Sequence, residues 1–299
     1  MSFSHNVKKE LAEITGMESC CVHAQAYALA LFGRSFSVRE ICIQTDYDEV
    51  ARCYCSMIRQ ACGVEPKINI SDAGKYLVHV EKPEDRKKII EVFGHSHGGA
   101  LRINRANLSE DCCAGAFVRG AFLACGTVTS PDKDYHFEFA IPYLNICRDL
   151  MKLLEEYDFK PKMVTRKGVR VIYFKDSESI EDILTFMGAA NSSLEMMGVK
   201  MYKDMRNNIN RKTNFETANI TRTVDAAMQQ IEAIRKIERC RGLNSLPEQL
   251  RKIAIIRRDN PEMSLREIGE VIDDPISRSG VNHRLRRIVE IAAEIQEDP

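Results

Sequence analysis

Hydrophobic spacing along the first 190 residues alternates between helical and strand periods, and the order of alternation occurs twice. The chain opens with MSFSHNVKKELAEI, whose helical spacing predicts a first helix within residues 1–19. From Cys20, CCVHAQAYALALFGRSF predicts a helix with a bare side. It is followed by the alternating SFSVREICIQT, the helical DEVARCYCSMIRQAC, a second strand pair in PKINI and KYLVHV, and a closing helix in PEDRKKIIEVF. The same order returns from Cys112: CCAGAFVRGAFLACGTV, TVTSPDKDYHFEFA with a turn at Ser130-Pro131-Asp132-Lys133, YLNICRDLMKLLEEY, PKMVT and VRVIYF, then SESIEDILTFM. Each copy reads αββαββα. The copies span 20–94 and 111–190, joined by a connector at 95–110.

A shift of 92 sets Ala24 on Ala116 and Ala28 on Gly120, so the small-residue stripe Ala116, Gly120, Ala124 has a counterpart in the first copy. Small side chains let two backbones approach closely. Two matched stripes predict that these helices pack on one another about a pseudo-two-fold axis.

Beyond 190 the pattern changes. Residues 191–217 form a polar, basic linker, with Asn207, Asn208, Arg211, Lys212, Asn214 and, just beyond it, Asn219 in a lead-in to a long helix. Such a segment either orders on phosphate or is an interdomain helix with a solvated face. Residues 218–299 are helical throughout, with a helix-turn-helix at about 247–293. Ser264 and Glu267 form a capping box ahead of Leu265, Ile268 and Ile272, and Asp273-Asp274-Pro275 stops that helix. Ser277 then caps a helix whose apolar stripe is Val281, Leu285, Ile288 and Ala292. At about 100° per residue, Ser279, Asn282, His283, Arg286 and Arg287 face away from that stripe, with Arg278 and Arg284 toward its edges. Arg pairs bidentately with guanine and Asn with adenine, so these residue types suit major-groove reading while the edge arginines meet phosphates.

Net charge is zero, with 43 basic and 43 acidic residues, but from Arg206 to Arg258 there are twelve Lys/Arg against five Asp/Glu. A local basic excess in a neutral chain points to an anionic partner, here double-stranded DNA. No apolar run approaches the ~18 residues of a membrane span, and the charged N-terminus is unlike a signal peptide. The expected location is the cytoplasm, on the nucleoid. Eleven cysteines without a CxxC spacing read as free thiols of a reducing compartment. The pairs Cys20-Cys21 and Cys112-Cys113, and Cys53 with Cys55, lack zinc-ligand spacing and are assigned to buried structural roles, and His95 and His97 to a glycine-rich connector. No metal, cofactor or catalytic residue is assigned.

FVRGAFLACG in this setting resembles the signature helix of LAGLIDADG homing endonucleases, whose halves share the αββαββα order. In that family an acid at each helix end holds divalent metal for phosphodiester cleavage. Here those positions fall on Cys125 and Gly33, and neither replaces a carboxylate for a hard cation. The degenerate double domain, NNINRKTNFETANI and ISRSGVNHRLRRI together resemble the WhiA family of bacterial transcription regulators. HAQAYALALFGRS in the first copy fits the signature poorly.

The fold class expected is therefore α+β: two LAGLIDADG-like repeats forming a pseudo-two-fold saddle, then an all-α helix-turn-helix domain. The resemblance implies sequence-specific DNA binding, control of sporulation or of cell division and chromosome segregation, and no catalysis. A residual metal-dependent endonuclease, or a protein-interaction platform tethered to DNA, are the alternative readings. A second transcription regulator is a further candidate partner, and the oligomeric state is left open.

Overall fold

A computed structural model describes residues 2–95 and 100–295, so His97 lies outside the described residues. The chain divides into two compact units, Met1–Asp204 and Met205–Pro299.

In the first unit, helix α1 (Phe3–Ala12) starts where the Ser2 hydroxyl accepts from the His5 amide, and buries Phe3, Val7 and Leu11. The first repeat is α2 (Ser19–Leu31), β1 (Ser35–Phe36), β2 (Ile41–Thr45), α3 (Asp48–Cys62), β3 (Lys67–Ile70), β4 (Tyr76–His79) and α4 (Pro83–Val92). The second is α5 (Asp111–Cys125), β5 (Gly126–Val128), β6 (Phe137–Ile141), α6 (Leu144–Glu156), β7 (Lys162–Arg166), β8 (Val169–Phe174) and α7 (Ser177–Met187). Each repeat folds into a four-stranded antiparallel sheet, ordered β1-β2-β4-β3 and β5-β6-β8-β7. Register follows the alternation: Ile43 pairs with Val78 and Phe139 with Ile172, so the apolar face of each sheet turns to the helices.

The two repeats meet along α2 and α5. A Cβ on Gly120 would stand 2.6 Å from the Gln25 carbonyl oxygen and 2.8 Å from the Ala28 Cβ, so only glycine fits. Cys20 lies beside Cys112 at the other end of the contact, 92 residues apart. Ala28 and Gly120 have that same separation, so the helices run side by side in one direction. The axis that brings the small residues together also gathers the first turns of both helices, where the sulfurs of Cys20, Cys21, Cys112 and Cys113 all lie within 4.8 Å of one another. Cys112 is exposed, and Cys20 and Cys21 half-buried, so the expectation of buried structural thiols fits only Cys113 of these four.

The connector is tied down where it is described. Asp149 accepts from the Arg102 guanidinium at 2.7 and 2.6 Å and from the Ile103 amide at 3.0 Å, and the Tyr27 hydroxyl accepts from the Asn104 amide.

A linker boundary at 191–217 is corrected by helix α8, which runs unbroken from Ala190 to Arg241. Polarity there marks a solvated helix: the segment contains no proline, and its lone glycine, Gly198, is tolerated at roughly 1 kcal/mol. Its start is held in the first unit, where the Glu10 carboxylate accepts from the Asn191 amide at 2.7 Å and the Ser192 amide at 3.0 Å. That places a negative charge on an N-terminus whose first amides have no helical partner.

The second unit packs the end of α8 with α9 (Glu248–Asp259), α10 (Leu265–Val271) and α11 (Arg278–Ala293) around Ile234, Ile237, Ile253, Ile268, Val281, Leu285 and Ile288. Among the described residues no helix is long and apolar enough to cross a membrane.

Substituting Gly120→Val should destabilise the full chain by about 1–3 kcal/mol or more, because backbone stands where the new side chain must go. Gly198→Ala, with open space around it, should instead stabilise by ~0.5–1 kcal/mol. Denaturant midpoints of the two variants would check both signs.

Candidate nucleic-acid interface

Helix α10 begins as its sequence dictates. The Ser264 hydroxyl accepts from the Glu267 amide at 3.3 Å and the Glu267 carboxylate accepts from the Ser264 amide at 2.7 Å. This reciprocal cap satisfies two otherwise orphaned donors. The chain then turns through residues 272–277, where the Ile276 amide donates to the Gly269 carbonyl at 3.0 Å. Ser277 caps α11 by accepting from the Gly280 amide.

Val281, Leu285, Ile288 and Ala292 are buried on α11, which fixes its rotation. Arg278, Ser279, Asn282, His283, Arg286 and Arg287 are exposed and Arg284 is half-buried. One face therefore carries the predicted polar set. Arg287 is engaged, donating to Glu290 at 2.9 Å, and that carboxylate holds its pKa above the usual guanidinium value. Among the described residues Arg278, Arg284 and Arg286 form no ion pair, and no acid sits in the first turn of α11.

Other cations counted in the basic excess are differently used. Arg257 is 3% exposed and donates to the carbonyls of Pro261 and Met263, at 3.2 and 2.7 Å, fixing the loop between α9 and α10. Burial pushes its pKa below the ordinary guanidinium value. Arg258 pairs with Glu238 and Asp259, and Lys252 with Asp273. Sequence counting cannot separate these from free cations, because Glu238 and Asp273 come from other elements.

Asn207, Asn208, Arg211 and Lys212 are exposed on α8. Asn219 and Arg222 of α8 line a groove together with Arg266, Arg278 and Asn282. Asn219 belongs to the expected polar lead-in, and Arg222 lies beyond it. What draws them in is packing at the end of α8 through Ile234 and Ile237.

The positions that correspond to nuclease acids are differently filled. Lys8 of α1 is 7% exposed and donates to the Leu123 carbonyl at 3.2 Å, at the C-terminal end of α5, with its ammonium over the rings of Tyr47 and Phe122. A cation is favoured at a helix C-terminus, but burial outweighs this and lowers its pKa to about 8. Burial pushes the neighbouring Cys125 thiol up to about 12, against the opposing pull of Lys8. On the first repeat, a Cβ at Gly33 would stand 2.7 Å from the Cys42 carbonyl oxygen. An ammonium beside a neutral thiol cannot hold a divalent cation. Nothing in sequence spacing pointed to Lys8, since its place depends on α1 crossing onto α5.

Two sheets flanking a pair of small-residue helices, without acids at their C-terminal ends, and a separate helical unit whose last helix carries a polar outer face define a class: a degenerate LAGLIDADG-like domain joined to a helix-turn-helix. Family models agree, matching a WhiA LAGLIDADG-like domain on residues 114–206 and a WhiA C-terminal HTH domain on residues 209–292. The chain belongs to the WhiA family. It is 35% identical over 309 residues to a protein of Alkaliphilus metalliredigens named probable cell division protein WhiA, covering 98% of each chain. A protein of the same name from Alkaliphilus oremlandii is 38% identical over 320 residues, covering 99% of this chain and 98% of that one. Full-length DUF199/WhiA from Thermatoga maritima superposes with a TM-score of 0.61 over 100% of both chains at 24% identity, a likeness of fold.

Burial of Lys8 has a pH signature. The folded-state pKa of about 8 lies below the ordinary lysine value of 10.5, so the unfolded chain binds the extra proton between these values. The cost of burying the charge is fully present below pH ~8, and stability rises as pH climbs toward ~10.5, by at most ~3 kcal/mol. Urea midpoints measured across this range should rise in the wild type relative to Lys8→Met. Parallel curves for the two proteins would show that Lys8 titrates normally.

Proposed function

We propose that this chain is a sequence-specific regulator of transcription that binds double-stranded DNA through α11 and carries no nuclease activity. The observation that carries this reading is the outer face of α11: Ser279, Asn282, His283, Arg286 and Arg287 in the middle, Arg278 and Arg284 beside them, and no acid from 278 to 287. Asn282 and Arg286 are the base readers in this reading. Arg278 and Arg284 grip phosphate, as do Asn219 and Arg222 across the groove. Asn207, Asn208, Arg211 and Lys212 add further backbone contacts along α8. The relatives named probable cell division proteins support a role in cell division, with chromosome segregation or sporulation as the process controlled and the nucleoid as the place of action. The first unit, whose sheets carry few free cations, is then available to a second regulator.

On a selected promoter duplex, Asn282→Ala and Arg286→Ala should each cost about 1–3 kcal/mol of binding, with little change on random duplex. Arg278→Ala and Arg284→Ala should weaken both and reduce the salt slope by about one each. Unchanged promoter affinity in the first two variants would remove α11 as the reader.

Incubation of the full chain with pooled duplexes and Mg2+ or Mn2+ should leave the DNA intact, because Cys125, with Lys8 beside it, and Gly33 stand where two carboxylates are needed. Reproducible metal-dependent cuts at one sequence would make it an endonuclease after all.

A further inference from the structure

Four cysteines converge at the start of the paired helices, and they come from two segments too far apart in sequence for any spacing rule. We propose that Cys20, Cys21, Cys112 and Cys113 form a four-thiolate site for one Zn2+ that clamps the two repeats together at the N-terminal ends of α2 and α5.

Distance is the first argument. All four sulfurs lie within 4.8 Å of one another, and Cys20 and Cys112 are 3.7 Å apart. A tetrahedral zinc with Zn–S bonds of about 2.3 Å spaces its sulfurs about 3.8 Å apart. Closing the longest separation therefore takes about one ångström of side-chain movement. A four-iron cluster spreads its thiolates around a larger core and does not fit within this spacing.

The donor set is the second. Sulfur alone suits zinc and other thiophilic ions and excludes magnesium and calcium, which require oxygen. Among the described residues this is the one group of three or more metal-capable side chains whose ligand atoms come within reach of one another.

Local electrostatics provide the third. Both cysteine pairs occupy the first turns of α2 and α5, the positive ends of those helices, which stabilise the negative charge of zinc-bound thiolates. Without metal, burial and the adjacent thiols push Cys21 up to about 12, so its proton leaves only as zinc takes its place. Further along α5, Arg119 is 7% exposed and donates to the Gln25 side chain at 2.7 Å, the Met187 carbonyl at 3.0 Å and the Met17 sulfur at 2.8 Å. Among the described residues it has no carboxylate partner, so its positive charge on α5 adds to the field that favours a dianionic zinc–tetrathiolate at the start of that helix. Each ligating thiol releases its proton to solvent on binding, so zinc uptake acidifies an unbuffered solution.

The test uses the full chain, purified reduced and without chelator, with Zn2+ and Co2+ as probes. The expected result is one zinc per chain. Cobalt in its place should give intense thiolate-to-metal charge-transfer bands and the visible bands of tetrahedral Co2+. Cys20→Ser and Cys112→Ser should weaken zinc binding by more than the ~10–100-fold typical of an outer-shell change, while Cys240→Ser, at an exposed thiol of the second unit, leaves it unaltered. Reduced wild type that takes up no zinc, a cobalt spectrum without thiolate bands, or bands that survive in Cys20→Ser and Cys112→Ser would each overturn the proposal. So would a Cys20–Cys112 disulfide in protein that still refuses zinc after reduction. The wild-type cobalt spectrum reports thiolate ligation directly, so the decision stands even where a serine variant folds poorly.

Discussion

The first unit depends on the contact between α2 and α5, where the Gly120 Cα meets the Gln25 carbonyl and Ala28. Neither repeat buries its small-residue stripe alone, and each sheet needs its helices to cover an apolar face. Because interiors pack at crystal-like density, a single added carbon at this contact displaces backbone, and the displacement passes to both sheets. The near-perfect match of the two stripes is therefore a condition for having one domain instead of two unstable halves. Everything at the ends of these helices inherits its position from that contact: the four sulfurs at one end, Lys8 and Cys125 at the other.

The second unit uses its cations in three ways. Arg257, in the core, satisfies carbonyls of the loop after α9, and Arg258 is matched to acids. Arg278, Arg284 and Arg286 of α11, whose rotation Val281, Leu285 and Ile288 fix, form no ion pair among the described residues, and neither do the exposed Arg211 and Arg222 of α8. A basic excess along a sequence thus becomes a directed feature only after packing has subtracted the cations that the fold uses for itself.

The repeats, the order of elements, the capping box at Ser264 and Glu267, and the outward set on α11 were legible because each rests on local periodicity or on caps read within a few residues. Long-range features were not. The polar stretch after residue 190 reads as a linker, since solvated helix and linker share a composition and the Glu10 cap that helps start α8 comes from the opposite end of the domain. The thiol cluster escapes spacing rules because the symmetry axis, not the sequence, unites its halves. Lys8 escapes for the same reason, as the helix that carries it belongs to neither repeat.

Lys8 and Gly33 also constrain what the scaffold could become by mutation. An aspartate arising at Cys125 would meet a buried ammonium and be neutralised as an ion pair. One arising at Gly33 would collide with the Cys42 carbonyl. Each step toward a metal-binding pair is thus unrewarded until the others are in place. The two corners are locked together: a hard-cation site there requires Lys8, Cys125 and Gly33 to change at once, a route that no single substitution opens.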